Sequence, residues 1–234
     1  MKPSVILSAL LVLVLLGCKD KEKIVEVVDE VPEDIFNIPL CETLTESVME
    51  LFSESNNNQE KYPELFSAST QEKIVLTKES NVYISYVIEG AAIPSTLGYY
   101  IYTGSDPQSA DNIDKKIIFP NVSNALLVPG DSRLIGKFPA GTTIGFFLIV
   151  GGYNNNTVNW TKPTFYTNHA LNPGQRRQHV LFREEACNNI LMGFEDKAIE
   201  TGSDSDFNDI VFIISDNDDN QASTAFDQST MVAM

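Results

Sequence analysis

Apolar and polar residues alternate along much of the chain after Ile74, and a period of two is typical of β-strands. The clearest alternation runs through Val82, Ile84, Tyr86 and Ile88. Turn-forming glycine, proline and asparagine separate the runs at short intervals. We therefore predict an all-β fold, an antiparallel β-sandwich of the jelly-roll type. The expected strands are Val82–Ile88, Leu97–Tyr102, Lys116–Phe119, Ala125–Val128, Arg133–Phe138, Thr143–Val150, Gln178–Arg183, Ile190–Phe194 and Asp209–Ile214.

One short helix is expected before the sandwich, within residues 41–70. Its apolar positions recur at helical spacing: Leu44, Val48, Leu51 and Phe52. Thr43 and Glu46 form a capping-box pattern at its start. The polar run from Ser53 to Gln59 is expected to end it.

Charged segments flank the predicted sandwich, which we place at residues 71–215. Residues 18–40 carry many charges together with Pro32 and Pro39, and they are predicted to form a tether. Residues 216–234 begin as a polar and acidic stretch, which predicts a flexible tail.

The first residues form an apolar leader that is shorter than a typical membrane-spanning helix. It ends in Leu15-Leu16-Gly17-Cys18, which resembles a bacterial lipobox, where the leader is cut before an acylated cysteine. We therefore predict a lipoprotein signal peptide at residues 1–17, lipidation of Cys18 and a membrane partner reached through the lipid. An ordinary secretory leader with an incidental cysteine is the alternative. The following Lys19–Glu22 is similar to signals that place bacterial lipoproteins on the outer face of the outer membrane, and otherwise serves as a solvated tether.

Composition and charge restrict the classes of partner that this protein can bind. Hydrophobic residues make up 43% of the chain and aromatic residues 9%, which is enough for a substantial core. The formal net charge of -16 opposes nucleic acid as a partner, since phosphate binding requires a basic surface. Outside the leader, Cys41 and Cys187 remain. In an exported protein they either form a disulfide or stay as two free buried thiols.

The candidate chemistry is concentrated between Gly193 and Phe212, where acidic side chains crowd in front of an apolar run. Dense carboxylates beside a buried strand are costly unless a cation neutralises them. Calcium takes six to eight oxygen ligands, so we predict a Ca²⁺ site, with a solvated acidic turn held by Asx hydrogen bonds as the alternative. The expected ligands are Glu195, Asp196, Asp204, Asp206, Asn208 and Asp209.

Two other kinds of metal site do not fit this sequence. An EF-hand loop would need glycine at Asp209 and a bidentate glutamate at Ser215. Zinc is not expected, because His169 and His179 lack a further histidine or cysteine at ligand spacing. We expect both histidines to be hydrogen-bonded residues of the β-structure.

Five sequence blocks occur in the order found in one known domain family. They are Glu89–Tyr102, Ile117–Ser123, Pro139–Ile149, Ala170–Val180 and Gly193–Phe212, and together they cover about residues 72–215. In these blocks the chain resembles the LruC-type domain, related to the family catalogued as domain of unknown function 4114. The resemblance implies a β-rich domain of exported bacterial surface proteins, with calcium held by the acidic block. It implies no established activity.

Three functions remain open at this point. The first is a surface binding or adhesion module for a glycan or a surface protein, and the second is a structural component of a surface complex. The third, a carboxylate-based hydrolase, is disfavoured because the acids cluster as ligands do and no nucleophile elbow is present, so we predict that the protein is not an enzyme. Aromatic residues near turns either stack on sugars or pack internally. These are Tyr99, Tyr100, Tyr153, Trp160 and Tyr166.

Overall fold

The computed structural model describes residues 25–54 and 56–234. The predicted signal peptide at 1–17, the lipidation site Cys18 and the first part of the predicted tether lie outside the described residues. Within the described ranges, no helix is both long enough and apolar enough to cross a membrane.

The described chain is mostly β-structure. Its strands are β1 (Val25–Val27), β2 (Phe36–Asn37), β3 (Ile74–Val75), β4 (Ser80–Ile88), β5 (Thr96–Tyr102), β6 (Lys116–Phe119), β7 (Asp131–Phe138), β8 (Thr143–Ile149), β9 (Tyr153–Asn154), β10 (Thr157–Asn159), β11 (Thr164–Tyr166), β12 (His179–Glu184), β13 (Asn189–Phe194), β14 (Ile210–Ser215) and β15 (Val232–Ala233). The two α-helices are α1 (Leu44–Leu51) and α2 (Asn58–Lys61). Five short 3₁₀ segments complete the regular structure: Pro63–Phe66, Ala110–Asn112, His169–Leu171, Pro173–Gln175 and Ile199–Thr201.

Two sheets form the sandwich. One has the strand order β15-β12-β13-β14-β4-β7-β2, and the other has the order β11-β8-β5-β6 with β3 beside β8. The pairings are antiparallel except for that of β15 with β12. Side chains from the facing sheets share one core, in which the rings of Phe146 and Phe212 lie 5.3 Å apart. The predicted antiparallel sandwich is therefore confirmed. A third, small sheet has the order β1-β10-β9.

Strand β14 is buried along its whole length because both of its faces are covered. Ile210, Phe212 and Ile214 point into the sandwich, whereas Val211 and Ile213 point to the opposite face. A helical segment, residues 44–66, covers that second face with the buried side chains of Leu44, Val48, Phe52 and Leu65. Two-sided burial explains why this strand reads as a continuous apolar run.

Helix α1 spans the predicted residues, but the capping box is not formed. The Thr43 side chain makes no capping hydrogen bond, and its Oγ1 instead lies 3.6 Å from the sulphur of Cys187. The expectation of a single helix is also wrong. Asn57 accepts hydrogen bonds from the backbone N–H groups of Gln59 and Glu60, and so starts α2 inside the polar run.

Some strand predictions fail where local chemistry competes with pairing. The predicted strand Ala125–Val128 is not formed: residues 124–126 form a turn and residues 127–128 are irregular. The Asp131 side chain accepts a hydrogen bond from the Val128 N–H, and the Ser123 side chain accepts one from the Ala125 N–H. The strands of two or three residues, such as β9 and β10, are too short to show a period of two.

The described part of the predicted tether, residues 25–40, is packed against the sandwich. Strand β1 pairs with β10, β2 pairs with β7, and Ile38 is buried. The tether prediction is wrong for these residues, because sheet edges offer unpaired backbone groups that can pair with a charged segment as well as with an apolar one.

The expected flexible tail, residues 216–234, is packed as well. Phe226 is buried in the sandwich core and bridges to Leu76, while β15 pairs with β12. Asp216 accepts hydrogen bonds at 2.7 Å from the N–H groups of Thr224 and Ala225. The acidic residues that suggested disorder thus include one that fixes the path of the chain.

A disulfide joins Cys41, just before α1, to Cys187 in the turn between β12 and β13, across a sequence separation of 146. It ties the helical segment to the seven-stranded sheet. Closing so long a loop restricts the unfolded chain strongly.

Replacing both cysteines by serine should lower the free energy of unfolding by about 2–4 kcal/mol, since the unfolded chain regains the entropy of the loop. Urea unfolding followed by circular dichroism measures the loss. The wild-type protein should lose the same stability on reduction, whereas the double variant should not respond to reductant. Equal stability of the reduced and oxidised wild-type protein would contradict a stabilising role.

Candidate metal centre

The loop between β13 and β14, residues 195–209, brings the six predicted ligands into one region. The Phe207 side chain anchors it, being fully buried with its ring 5.0 Å from that of Phe66. Ser205 and Phe207 have positive φ values of 63° and 59°, which non-glycine residues seldom adopt. Backbone strain of this kind persists only where surrounding contacts enforce it, and it concentrates at functional sites.

The inner part of the loop contains buried carboxylates that accept backbone hydrogen bonds. Glu195 is fully buried, and its Oε1 accepts from the Phe207 N–H at 2.6 Å while its Oε2 accepts from the Ser203 hydroxyl. Asp209 Oδ2 accepts from the Asp196 N–H at 2.7 Å. These acids therefore hold the loop to the ends of both strands.

Burial perturbs the acidity of this inner group. Burial raises the pKa of Asp209 to about 8, and the charges of Asp196 and Glu195 contribute in the same direction. Burial also raises the pKa of Glu195 to about 7, although hydrogen bonds from Ser203 and Phe207 lower it. Among the described residues, no salt bridge pairs Glu195, Asp196 or Asp209 with a lysine or arginine. A cation at the loop would favour the ionised forms.

The outer part of the loop meets the helical segment. One carboxylate oxygen each from Glu54, Asp204 and Asp206 lie within 4.8 Å of one another. Ligands on opposite sides of a calcium ion at bond lengths of 2.3–2.6 Å stand about 4.6–5.2 Å apart, and adjacent ligands stand closer. These three oxygens are therefore spaced as calcium ligands are.

Two asparagines link the loop to the helical segment. Asn208 Nδ2 donates to the Phe52 carbonyl at 2.9 Å and to Asp206 Oδ2 at 3.0 Å. Asn58 is fully buried, and its Nδ2 donates to the Asp206 carbonyl at 2.6 Å. The Asn58 Oδ1 is buried and has no hydrogen-bond partner in the described part of the chain. An unsatisfied buried carbonyl costs about 1–3 kcal/mol, and amide oxygens are good calcium ligands.

The residues present therefore fit a calcium ion better at the outer part of the loop than at all six predicted positions. Asp204 and Asp206 converge with Glu54. The carboxylates of Glu195 and Asp209 instead accept hydrogen bonds from backbone amides, and Asp196 takes part through its own backbone N–H, which donates to Asp209. Asn208 binds Asp206 and the helical segment through its Nδ2.

The comparison with known families identifies this part of the chain. Residues 138–217 match the family model described as a domain of unknown function, DUF4114. The chain carries a DUF4114 domain. The resemblance to the domain of unknown function 4114 is thereby confirmed for residues 138–217. The bacterial lipoprotein context remains a prediction. No curated protein and no solved structure matches the chain.

The DUF4114 match begins at the end of β7 and closes just after β14, so it contains the whole acidic loop. It does not include Glu54 or Asn58, which are not among the predicted ligands. The only signal for these two residues in the sequence was the polar run from Ser53 to Gln59, which is also typical of a helix end. Glu89 also lies outside the match and is not among the predicted ligands. It is a buried acid, and its Oε2 accepts a hydrogen bond from the Asn124 N–H at 3.1 Å.

The candidate sugar-stacking residues are mostly part of the core. Tyr99, Tyr100, Tyr153 and Tyr166 are all buried, so internal packing holds for these four. Trp160 is half-buried and lines a groove of about 670 Å³ beside β1 and β6, with the Lys115 Nζ 5.6 Å from its ring.

The two histidines lie on different elements, and both contact Glu72. His169, in a 3₁₀ segment, lies with Nδ1 2.7 Å from Glu72 Oε2. His179 is fully buried in β12, and its Nε2 lies 2.9 Å from the Glu72 carbonyl oxygen, to which it donates. The prediction that both histidines belong to the β-structure is correct for His179, which lies in β12, and wrong for His169, which lies in a 3₁₀ segment.

Without calcium, the DUF4114 loop should make stability depend on pH. Carboxyl groups with a raised pKa bind protons more tightly in the folded protein than in the unfolded chain. The stability that these two groups contribute is fully present below a pH of about 4 and is lost as the pH rises to about 8. In EDTA, the free energy of unfolding should therefore fall by about 1–3 kcal/mol between pH 5 and pH 8.

Urea unfolding across this pH range measures the effect. Asp209→Asn should flatten the profile, whereas Asp218→Asn removes an equal charge at an exposed site and should leave the slope unchanged. A wild-type profile that stays flat or rises towards pH 8 would show that the loop acids are not destabilising when ionised.

Proposed function

We propose that the protein is an exported, lipid-anchored binding module whose β-sandwich is stabilised by Ca²⁺ at the loop between β13 and β14. The observation that carries the calcium part is the convergence of Glu54, Asp204 and Asp206 beside acids that form no salt bridge with a lysine or arginine among the described residues. Calcium prefers carboxylate and amide oxygens, and this loop offers both.

The location rests on the leader and on the cysteine chemistry. The lipobox-like ending at Cys18 supports lipidation and anchoring at the outer membrane, and Lys19–Glu22 supports exposure at the cell surface. The disulfide between Cys41 and Cys187 agrees with an oxidising compartment outside the cytoplasm. Such compartments also supply calcium in the range that weak sites need.

A non-catalytic role is favoured by what the acids contact. A general acid or base must reach a substrate, yet Glu195 and Asp209 accept hydrogen bonds from the protein backbone. Their raised pKa values have burial as the first cause, which structural carboxylates share with catalytic ones. We therefore propose that these acids shape the loop and that ligand binding takes place elsewhere.

The groove at Trp160 is the surface that best suits a glycan. It combines a half-buried indole ring with the charged side chains of Asp34, Lys115 and Arg133. Sugars are recognised by an apolar ring face together with polar groups that bind hydroxyls. The four buried tyrosines offer no comparable platform.

Millimolar calcium should raise the melting temperature of the wild-type protein. With dissociation constants of roughly 10⁻⁴–10⁻³ M, mass action at 1 mM calcium adds about 0.4–1.4 kcal/mol of stability. This corresponds to about 1–5 °C for a chain of this size. Differential scanning calorimetry in calcium and in EDTA measures the shift, with magnesium as the comparison ion. Identical melting curves in calcium and EDTA would refute the calcium part of the proposal.

Binding to glycans should depend on Trp160. On a glycan array, the wild-type protein should give signals that Trp160→Ala removes, because the ring face is lost. Tyr166→Phe, a substitution at a buried ring, is the matched control and should bind as wild type does. An array that is silent with and without chelator would favour a structural role in a surface complex instead, with one stoichiometric partner expected on co-purification.

A further inference from the structure

The helical segment, residues 44–66, and the DUF4114 loop approach each other at the acidic cluster. Glu54 lies three residues beyond the end of α1, and Asn58 is the first residue of α2. Asp204 and Asp206 come from the loop, about 150 positions later in the chain. The cluster is therefore composed of side chains from two segments.

Two independent observations point to a ligand between these segments. The first is the spacing of the Glu54, Asp204 and Asp206 oxygens, all within 4.8 Å of one another. The second is the buried Asn58 Oδ1, which lacks a hydrogen-bond partner in the described ranges although its own Nδ2 contacts the Asp206 carbonyl. A buried acceptor on a side chain that is hydrogen-bonded to the backbone of Asp206, one of the three cluster residues, is a group that a cation could satisfy.

We propose that a Ca²⁺ ion bridges the helical segment and the DUF4114 loop, with Glu54 and Asn58 supplying ligands from outside the domain. The inference rests on the proposed calcium binding and goes beyond it, because it assigns the ion to a contact between two segments. The loop by itself contributes Asp204 and Asp206, and the helical segment completes the coordination.

The surrounding contacts explain why this place needs a cross-link. The disulfide of Cys41 ties down the start of the helical segment, and Leu44, Val48 and Phe52 bury its first helix. Beyond Phe52 the chain is polar as far as Lys61, so few apolar contacts hold it. Two hydrogen bonds from Asn58, one to Ser205 and one to Asp206, connect this stretch to the loop. An ion would add the strong interaction that the polar stretch lacks.

Calcium titration of the full chain by isothermal calorimetry tests the ligand assignment. Glu54→Gln and Asn58→Ala should each raise the calcium dissociation constant about tenfold or more, since each removes one ligand. Glu50→Gln removes an equal charge from the same segment outside the cluster and should change the constant less than about twofold. Glu54 is exposed, so its variant is expected to fold even if Asn58→Ala does not.

Hydrogen exchange distinguishes a bridge from a site in the loop alone. Calcium should slow amide exchange of the wild-type protein in residues 52–62 as well as in 195–209. In Glu54→Gln at saturating calcium, protection should persist in 195–209 and be reduced in 52–62. Glu50→Gln should behave as the wild-type protein does in both regions.

The alternative outcomes separate this inference from the proposed function. If Glu54→Gln binds calcium as the wild type does while Asp206→Asn does not, the loop alone holds the ion. The bridge is then wrong and the calcium-stabilised module survives. If the wild-type protein shows neither heat of binding nor protection at millimolar calcium, both proposals are wrong.

Discussion

The structure depends on burying a carboxylate-rich turn between two strands that are themselves covered on both faces. Strands β13 and β14 lie between the sandwich core and the helical segment, so both ends of the loop joining them are buried, whereas its middle, residues 197–204, is largely exposed. Glu195 is fully buried there, because its oxygens accept hydrogen bonds from Phe207 and Ser203 and thereby define the turn. Hydrogen bonds lower the cost of burying that charge without removing it, and the neighbouring acids repel one another. A divalent cation is the simplest compensation, and it would also explain the convergence of Asp204, Asp206 and Glu54.

The folding unit is larger than the family match. Within residues 138–217, β14 lacks its neighbour β4 and β8 lacks its neighbour β5, although each pair shares a long antiparallel register. The second face of β14 also needs the helical segment, and the core needs Phe226 from the C-terminal part of the chain. A strand with exposed apolar faces and unpaired edges would not be stable alone. The DUF4114 domain of this protein is therefore supported by segments that precede and follow the match.

Stabilising chemistry and ligand recognition are assigned to different parts of the proposed module. In the acidic loop, Glu195 and Asp209 accept hydrogen bonds from backbone groups and Asn208 donates to the helical segment. The Trp160 groove lies beside β6 and β1, strands that belong to the other two sheets.

Local patterns were sufficient for much of the fold. Strands β4, β5, β6, β8 and β14 follow from residue alternation or continuous apolar runs, and α1 follows from the spacing of its buried residues, because each pattern is produced by the geometry of one element. The acidic loop was also evident from the sequence, since its acids are neighbours in the chain. Only the tertiary structure revealed Glu54 and Asn58 at the loop, the packing of residues 25–40 and 216–234, and the division of the six predicted ligands into an inner and an outer group. These features depend on contacts between residues far apart in sequence, where a polar or charged stretch looks the same whether it is solvated or packed.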